Sequence, residues 1–191
     1  VVVKPASQTP ATGGTLVAKL FEEAGLPPGV FNVVVGQSSV LGDAFVTHPV
    51  PKMISFTGST PVGKGIGKLA GEHLKKVALE LGGNNVFIVL EDADIDRAVA
   101  AGMMGKFMHQ GQICMAINRF LVHEKVYDEF CAKFVARTRA LKVGDPRDPA
   151  TDIGPLIDER QVKRIQEDIA ASVAQGARLE VGGQAEGAVL Y

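Results

Sequence analysis

The chain has 191 residues, of which 46% are hydrophobic and 21% charged, so it can bury a core and is not a disordered tail. Its 20 Lys and Arg nearly balance 21 Asp and Glu, a net charge of -1 that gives no general electrostatic attraction to DNA, RNA or an anionic membrane. The 22 Gly lack the period of collagen, and no apolar run reaches the ~18 residues of a membrane-spanning helix.

Residues 1–4 read as a strand and 5–10 as a loop. Leu16, Val17, Leu20, Phe21 and Ala24 form one apolar face of a helix over 13–24. Gly25-Leu26-Pro27-Pro28-Gly29 stops it, with Gly as C-terminal cap and prolines that cannot continue a helix. Strands are expected over 30–35, 53–56, 76–81 and 86–90, with helices over 40–46 and 61–69. Such alternation with short connections argues for an α/β fold with a largely parallel sheet covered by helices.

Further on, a helix over 94–107 begins at Asp92 and Asp94, where acids favour the helix dipole. A loop over 110–115 and a strand over 119–123 follow. The helix over 126–141 carries Val126, Phe130, Phe134 and Val135 on one face. A turn-rich loop over 144–149 leads to a helix over 158–174 with Val162, Ile165, Ile169 and Val173, and then a strand over 179–181. Two glycines between consecutive strands, Gly82-Gly83, mark the most plausible domain boundary. The start, Val1-Val2-Val3-Lys4, and the end, Val189-Leu190-Tyr191, are both abrupt and suggest an internal piece of a longer protein.

Two cysteines make no disulfide framework, so a reducing, cytoplasmic setting is expected. Cys131, beside Phe130 on a helix, reads as core. Cys114 sits among loop formers in Gln110-Gly111-Gln112-Ile113-Cys114-Met115. It is either a buried small hydrophobe or a partly exposed nucleophile. Glu80 ends an apolar strand, where a carboxylate is either an ordinary surface group or a base facing a cleft. Phe56-Thr57-Gly58-Ser59-Thr60-Pro61 places backbone N–H groups and a hydroxyl where a phosphate could bind, although an ordinary tight turn would read the same. Gly58 to Gly63 followed by Lys64 approaches the spacing of a nucleotide-triphosphatase loop, but Gly65 stands where the magnesium-holding hydroxyl belongs. His48, His73, His109 and His123 show no ligand spacing, so no metal site is expected.

Taken together, Lys4-Pro5-Ala6-Ser7-Gln8-Thr9-Pro10, Gly29-Val30-Phe31-Asn32-Val33-Val34-Val35-Gly36, Phe56-Thr57-Gly58-Ser59-Thr60, Leu79-Glu80-Leu81-Gly82-Gly83-Asn84, Gly111-Gln112-Ile113-Cys114 and Ile153-Gly154-Pro155-Leu156 resemble, in order, the NAD(P)-dependent aldehyde dehydrogenases. Residues 106–116 look most like the branch that oxidises benzaldehyde-type aromatic aldehydes. The resemblance implies the C-terminal half of a Rossmann-like NAD(P)-binding domain over 1–82 and the N-terminal half of an α/β catalytic domain over 83–191. It implies Cys114 as nucleophile and Glu80 as general base. Lys4 and Ser7 match positions at the adenosine ribose or its phosphate, and Gly36 a position beside the adenine. Ser59 matches a cofactor phosphate contact, and Thr57, Gly58 and Leu81 the nicotinamide side.

The implied cofactor is NAD or NADP. Many NAD-specific members carry Glu where this chain has Ser7. The implied partners are a small aldehyde and, for the parent, further copies in a homodimer or homotetramer, with no nucleic acid or membrane. A CoA-acylating dehydrogenase would share Cys114 without needing Glu80, and a non-catalytic relative would tolerate loss of either.

Overall fold

The computed structural model describes residues 1–187 and Val189; Leu190 and Tyr191, which close the abrupt C-terminal run, lie outside the described residues. The chain divides into two compact units, Val1–Gly82 and Gly83 onward.

The first unit begins with β1 (Val2–Val3) and a wide helical turn, Ala11–Thr15, that runs into α1 (Leu16–Glu23). β2 (Asn32–Val33), α2 (Ser38–Thr47), β3 (Met53–Gly58), α3 (Thr60–Glu72) and β4 (Lys76–Leu81) follow. β1 pairs with β2 in parallel, Val2 opposite Asn32 and Val3 opposite Val33. β3 pairs with β4 in parallel along its whole length, from Met53 opposite Lys76 to Gly58 opposite Leu81. Parallel neighbours need a crossover, and α3 supplies it, packing on both strands. Its buried Ala70 and the buried Val46 of α2 are the fully enclosed apolar side chains here.

The second unit contains β5 (Asn85–Val89), α4 (Ile95–Phe107), a tight turn at Met108–Gly111, β6 (Ile117–Val122), α5 (Glu124–Arg139) and α6 (Glu159–Ala174). β5 and β6 are parallel, with an irregularity at Asn85/Val86. The core gathers Val89, Ile95, Val99, Met103 and Phe130, with Phe87, Phe120 and Phe134 packed against it. Phe120 lies 5.1 Å from Phe134 and 5.9 Å from Phe130 between ring centroids, tilted in the way aromatic quadrupoles favour. Asp94 caps α4 by accepting from the Arg97 N–H at 3.1 Å. Asp158 caps α6 through the Gln161 N–H at 3.2 Å, and His123 caps α5 through Lys125 N–H.

The parallel α/β character stands, but as three two-stranded ladders among the described residues. The strand expected over 30–35 contracts to Asn32–Val33 because its partner β1 is equally short. Residues 179–181 form no strand, having no ladder partner among the described residues; the Glu180 carbonyl instead accepts from Arg139. Leu16 and Leu20, on the apolar face of α1, are exposed, since a two-residue ladder is too narrow to cover a helix. Cys131 is only half-buried, being turned about 100° around α5 from the buried Phe130. No helix among the described residues is long and apolar enough to cross a membrane.

Candidate active site

In parallel α/β structure, ligands bind beyond the carboxyl ends of the strands. In the first unit every expected site residue lies there. Lys4 and Ser7 follow β1, and Gly36 follows β2. Thr57 and Gly58 end β3, Ser59 leads into α3, and Glu80 and Leu81 end β4. The register sets Thr57 opposite Glu80 and Gly58 opposite Leu81, so these four and Ser59 form one group.

The helix α3 is brought tightly onto this group. A Cβ on Gly63 would overlap the Leu81 Cδ2 methyl unless Leu81 shifted. The Leu81 side chain is therefore turned under α3, and what it presents at the strand end is its main chain. Ser59, the N-cap of α3, makes no side-chain capping bond. Its hydroxyl and the N–H groups of Thr60 and Val62, which have no intrahelical partner, form a donor set suited to a phosphate; Pro61 contributes no donor. Because α3 starts at Thr60, Gly63, Lys64 and Gly65 lie inside a helix, which removes the nucleotide-triphosphatase loop reading.

Lys4 is half-buried and its ammonium donates to the Pro5 carbonyl at 2.7 Å. Ser7 is exposed. A Cβ on Gly36 would meet Leu41 Cδ1 at 2.6 Å, so a side chain there would require Leu41 to shift. Glu80 is exposed, not enclosed in an apolar cleft of its own unit.

In the second unit the exposed Cys114 lies between α4 and β6, which discards the buried-hydrophobe alternative. Lys106 in the last turn of α4 is held below the usual lysine range by burial. Three successive residues after α4 adopt left-handed backbone: His109 (φ 54°), Gln110 (φ 55°) and Gly111 (φ 70°). Only Gly does so freely; the two side-chain-bearing residues are strained, a feature that clusters at functional sites. His109 is exposed and touches no metal-ligand group; among the described residues no set of His, Cys, Asp and Glu converges as a metal site would.

The loop is tied on both sides of Cys114. Gln112 Oε1 accepts from the Ile157 N–H at 2.9 Å. Asn85 Nδ2 donates to the Cys114 carbonyl at 2.6 Å and to the Ala116 carbonyl at 3.0 Å. Neither Asn85 nor the Gln112 tie is apparent from motif spacing alone. The available signal was the pair Asn84-Asn85 opening a strand, a place where Asn is disfavoured.

The profile of the aldehyde dehydrogenase family matches residues 1–190. The chain belongs to this family. It is similar to a benzaldehyde dehydrogenase of Bacillus subtilis, 56% identical over 93% of this chain and 36% of that protein. It is also similar to the crystal structure of an NAD-dependent benzaldehyde dehydrogenase from Corynebacterium glutamicum. That match has a TM-score of 0.93 and 53% identity over 100% of this chain and 41% of the other. The crystal structure of an NADP-dependent enzyme of E. coli matches with a TM-score of 0.94 and 44% identity over 97% and 38%. The chain thus spans well under half the length of the relatives it matches.

Proposed function

We propose that this chain carries the nucleophile, the general base and part of the cofactor site of an enzyme that oxidises an aldehyde to its carboxylic acid with NAD or NADP. The observation that carries this reading is Cys114: an exposed thiol on a loop tied through the Gln112 side chain upstream and through its own carbonyl, in a member of the aldehyde dehydrogenase family. An aromatic aldehyde is the proposed substrate class, supported by the likeness to proteins named benzaldehyde dehydrogenases. The proposed units are the C-terminal half of the NAD(P)-binding domain over 1–82 and the N-terminal half of the catalytic domain from 83 onward.

The residues of the first unit fit the cofactor. Ser59 and the first N–H groups of α3 would hold its diphosphate, Lys4 and Ser7 its adenosine ribose, and Gly36 would leave space beside the adenine. Thr57, Gly58 and the Leu81 main chain would border the nicotinamide. When bound, NAD(P) supplies the two-electron acceptor for hydride.

The chemistry of the chain's own residues follows. An aldehyde has no alkoxide to expel hydride. The Cys114 thiolate adds to the carbonyl carbon, forming a C–S bond and moving the carbonyl pair onto oxygen. The Cys114 backbone N–H is a donor for that oxyanion. Collapse of the oxyanion re-forms the C=O bond and expels hydride, leaving an acyl thioester on Cys114. Glu80 then takes a proton from water, whose oxygen adds to the thioester carbon. Breaking the C–S bond releases the acid and returns the thiolate, and Glu80 gives its proton to solvent and is a carboxylate again. This cycle requires Cys114 to stay reduced, as a cytoplasmic setting would keep it.

The test is Cys114→Ser in the full-length protein. A hydroxyl without a dedicated base is a far weaker nucleophile near neutral pH. Hydride transfer to NAD(P) from benzaldehyde should be lost, and mass spectrometry of the unmutated enzyme during turnover should find the acyl group on Cys114 and not on Cys131. Retained hydride transfer, or an acyl group elsewhere, refutes the reading.

A further inference from the structure

We propose that Asn85 is a positioning residue for Cys114: its single side-chain amide bonds the carbonyls on either side of Met115 and so sets the orientation of the nucleophile. The inference rests on the reading of Cys114 as the nucleophile. Asn85 Nδ2 has two hydrogens, and both are used, one on Cys114 O at 2.6 Å and one on Ala116 O at 3.0 Å.

The geometry explains why one amide suffices. A peptide group is planar, so fixing the Cys114 carbonyl fixes the plane that follows Cys114 and with it that residue's ψ. Upstream, Gln112 Oε1 receives the Ile157 N–H. That anchor directly follows Ile153-Gly154-Pro155-Leu156. Gly154 is buried and a Cβ there would stand 3.5 Å from Gln110 Nε2, so the motif packs beneath the strained turn. The Ala116 N–H also donates to the Ile113 carbonyl at 3.0 Å, so the main chain following Cys114 is held in a closed turn.

Asn85 is delivered to the loop by strand periodicity. Along β5, Asn85, Phe87 and Val89 face inward while Val86 and Ile88 are exposed. The ladder then slips: Asn85 pairs with Ile117 but Val86 pairs with Arg119, leaving Asn118 as a bulge. Bulges re-aim strands beside active sites. Here the slip lets the end of β5 reach back past Ile117 to Ala116 and Cys114. Asn118 makes its own separate bond, to the Gly83 carbonyl at 3.3 Å.

The experiment uses the full-length protein. Asn85→Asp keeps the size of the side chain but turns an acceptor oxygen toward two carbonyls. Single-turnover hydride transfer should slow about 10- to 100-fold, as expected when a reacting group is misplaced by about an ångström. The KM for NAD(P) should stay within about twofold, because a positioning defect acts on the chemical step. Amide hydrogen exchange over 113–117 should accelerate, and Asn85→Ser, which keeps one donor, should fall between. Asn118→Asp removes a donor from the same neighbourhood but leaves the loop bonds, and should change the rate less than about threefold.

Hydride transfer near the wild-type rate in Asn85→Asp, or unchanged exchange over 113–117, overturns the proposal. If Asn85→Asp does not fold, the same two readouts on Asn85→Ser decide it. Cys114→Ser separates the two failures. A dead Cys114→Ser with an unimpaired Asn85 variant refutes the positioning role alone. An active Cys114→Ser refutes the nucleophile and the positioning role with it.

Discussion

Glu80 stands opposite Thr57 in the β3–β4 ladder, and the next pair along is Leu81 opposite Gly58. Neighbouring side chains on a strand point to opposite faces. Leu79 and Leu81 lie under α3, against Gly67 and Gly63, so Glu80 projects from the face that α3 does not cover. The carboxylate is thus left exposed at the carboxyl end of the ladder, beside the Ser59 donor set but on the other side of the strand from the helix body.

That placement suits a base that acts on water after hydride has left. Glu80→Gln keeps shape and hydrogen bonding but cannot accept the proton. In the full-length protein it should give a burst of about one reduced cofactor per active site, followed by slow turnover as the thioester accumulates. Rapid-mix absorbance of the reduced cofactor and intact-mass measurement check it. Steady turnover at the wild-type rate would assign the base elsewhere.

Much of this geometry was legible in advance, for identifiable reasons. The helices from α3 onward carry strong local signals: Pro61 in the first turn of α3, the acids Asp92 and Asp94 at the start of α4, and the amphipathic pattern of α5 and α6. Gly25, expected to end α1, does so with φ 83°. What failed depended on distant partners. Residues 179–181 put a charged residue between two apolar ones but find no ladder among the described residues, and Leu16 and Leu20 have a helical pattern that nothing among the described residues covers. The site divides in the same way. Loop composition left Cys114 open between a buried and an exposed thiol, and the structure shows it exposed; Asn85 reaches carbonyls 29 and 31 residues away, and no local rule reports such a bond.

On the proposed reading, Ser7 bears on cofactor choice. A Glu at that position would accept from both ribose hydroxyls and repel a 2′-phosphate, whereas Ser7 is neutral and exposed and Lys4 adds a positive charge nearby in the chain. The full-length protein should therefore accept NADP. Ser7→Glu should weaken NADP binding by about 1–3 kcal/mol while sparing NAD, the scale of a charge clash in a partly desolvated site. Cofactor titrations on both proteins check it, and an unchanged NADP affinity would remove Ser7 from the ribose site.

Asp158 makes the cap of α6 sensitive to acid. The Arg160 guanidinium, 2.7 Å away, holds its carboxyl below the usual carboxylate range, and the Gln161 N–H adds to this. A depressed value in the folded state means the stabilisation is complete above the unfolded carboxylate's pKa of about 3.9 and is lost as pH falls through the folded value. Asp158→Asn keeps a capping oxygen but has no proton to take up. It should melt below wild type at neutral pH and approach it in acid well below the unfolded carboxylate value of about 3.9, as pH falls through the depressed folded value and the wild-type carboxyl takes up its proton. Melting curves at the two pH values check this; a constant difference between the proteins would show that the charge contributes nothing.

Lys106 should have the opposite sign. It lies in the last turn of α4, where the helix dipole favours a cation, yet its pKa is lowered by burial, so desolvation outweighs the dipole. The unfolded chain therefore keeps this proton to higher pH than the folded one, and folding carries the cost of a partly buried ammonium at neutral pH. Between the folded value and the unfolded value of about 10.4, the unfolded state binds more protons and stability rises with pH from this group. Lys106→Met retains an unbranched apolar stem without the charge. It should be more stable than wild type at pH 7, and the gap should narrow as pH approaches the unfolded lysine value, a trend that urea titrations at a series of pH values would resolve. Lower stability of the variant at every pH, by a constant amount, would mean that Lys106 contributes through packing of its stem and that its charge is adequately solvated where it stands.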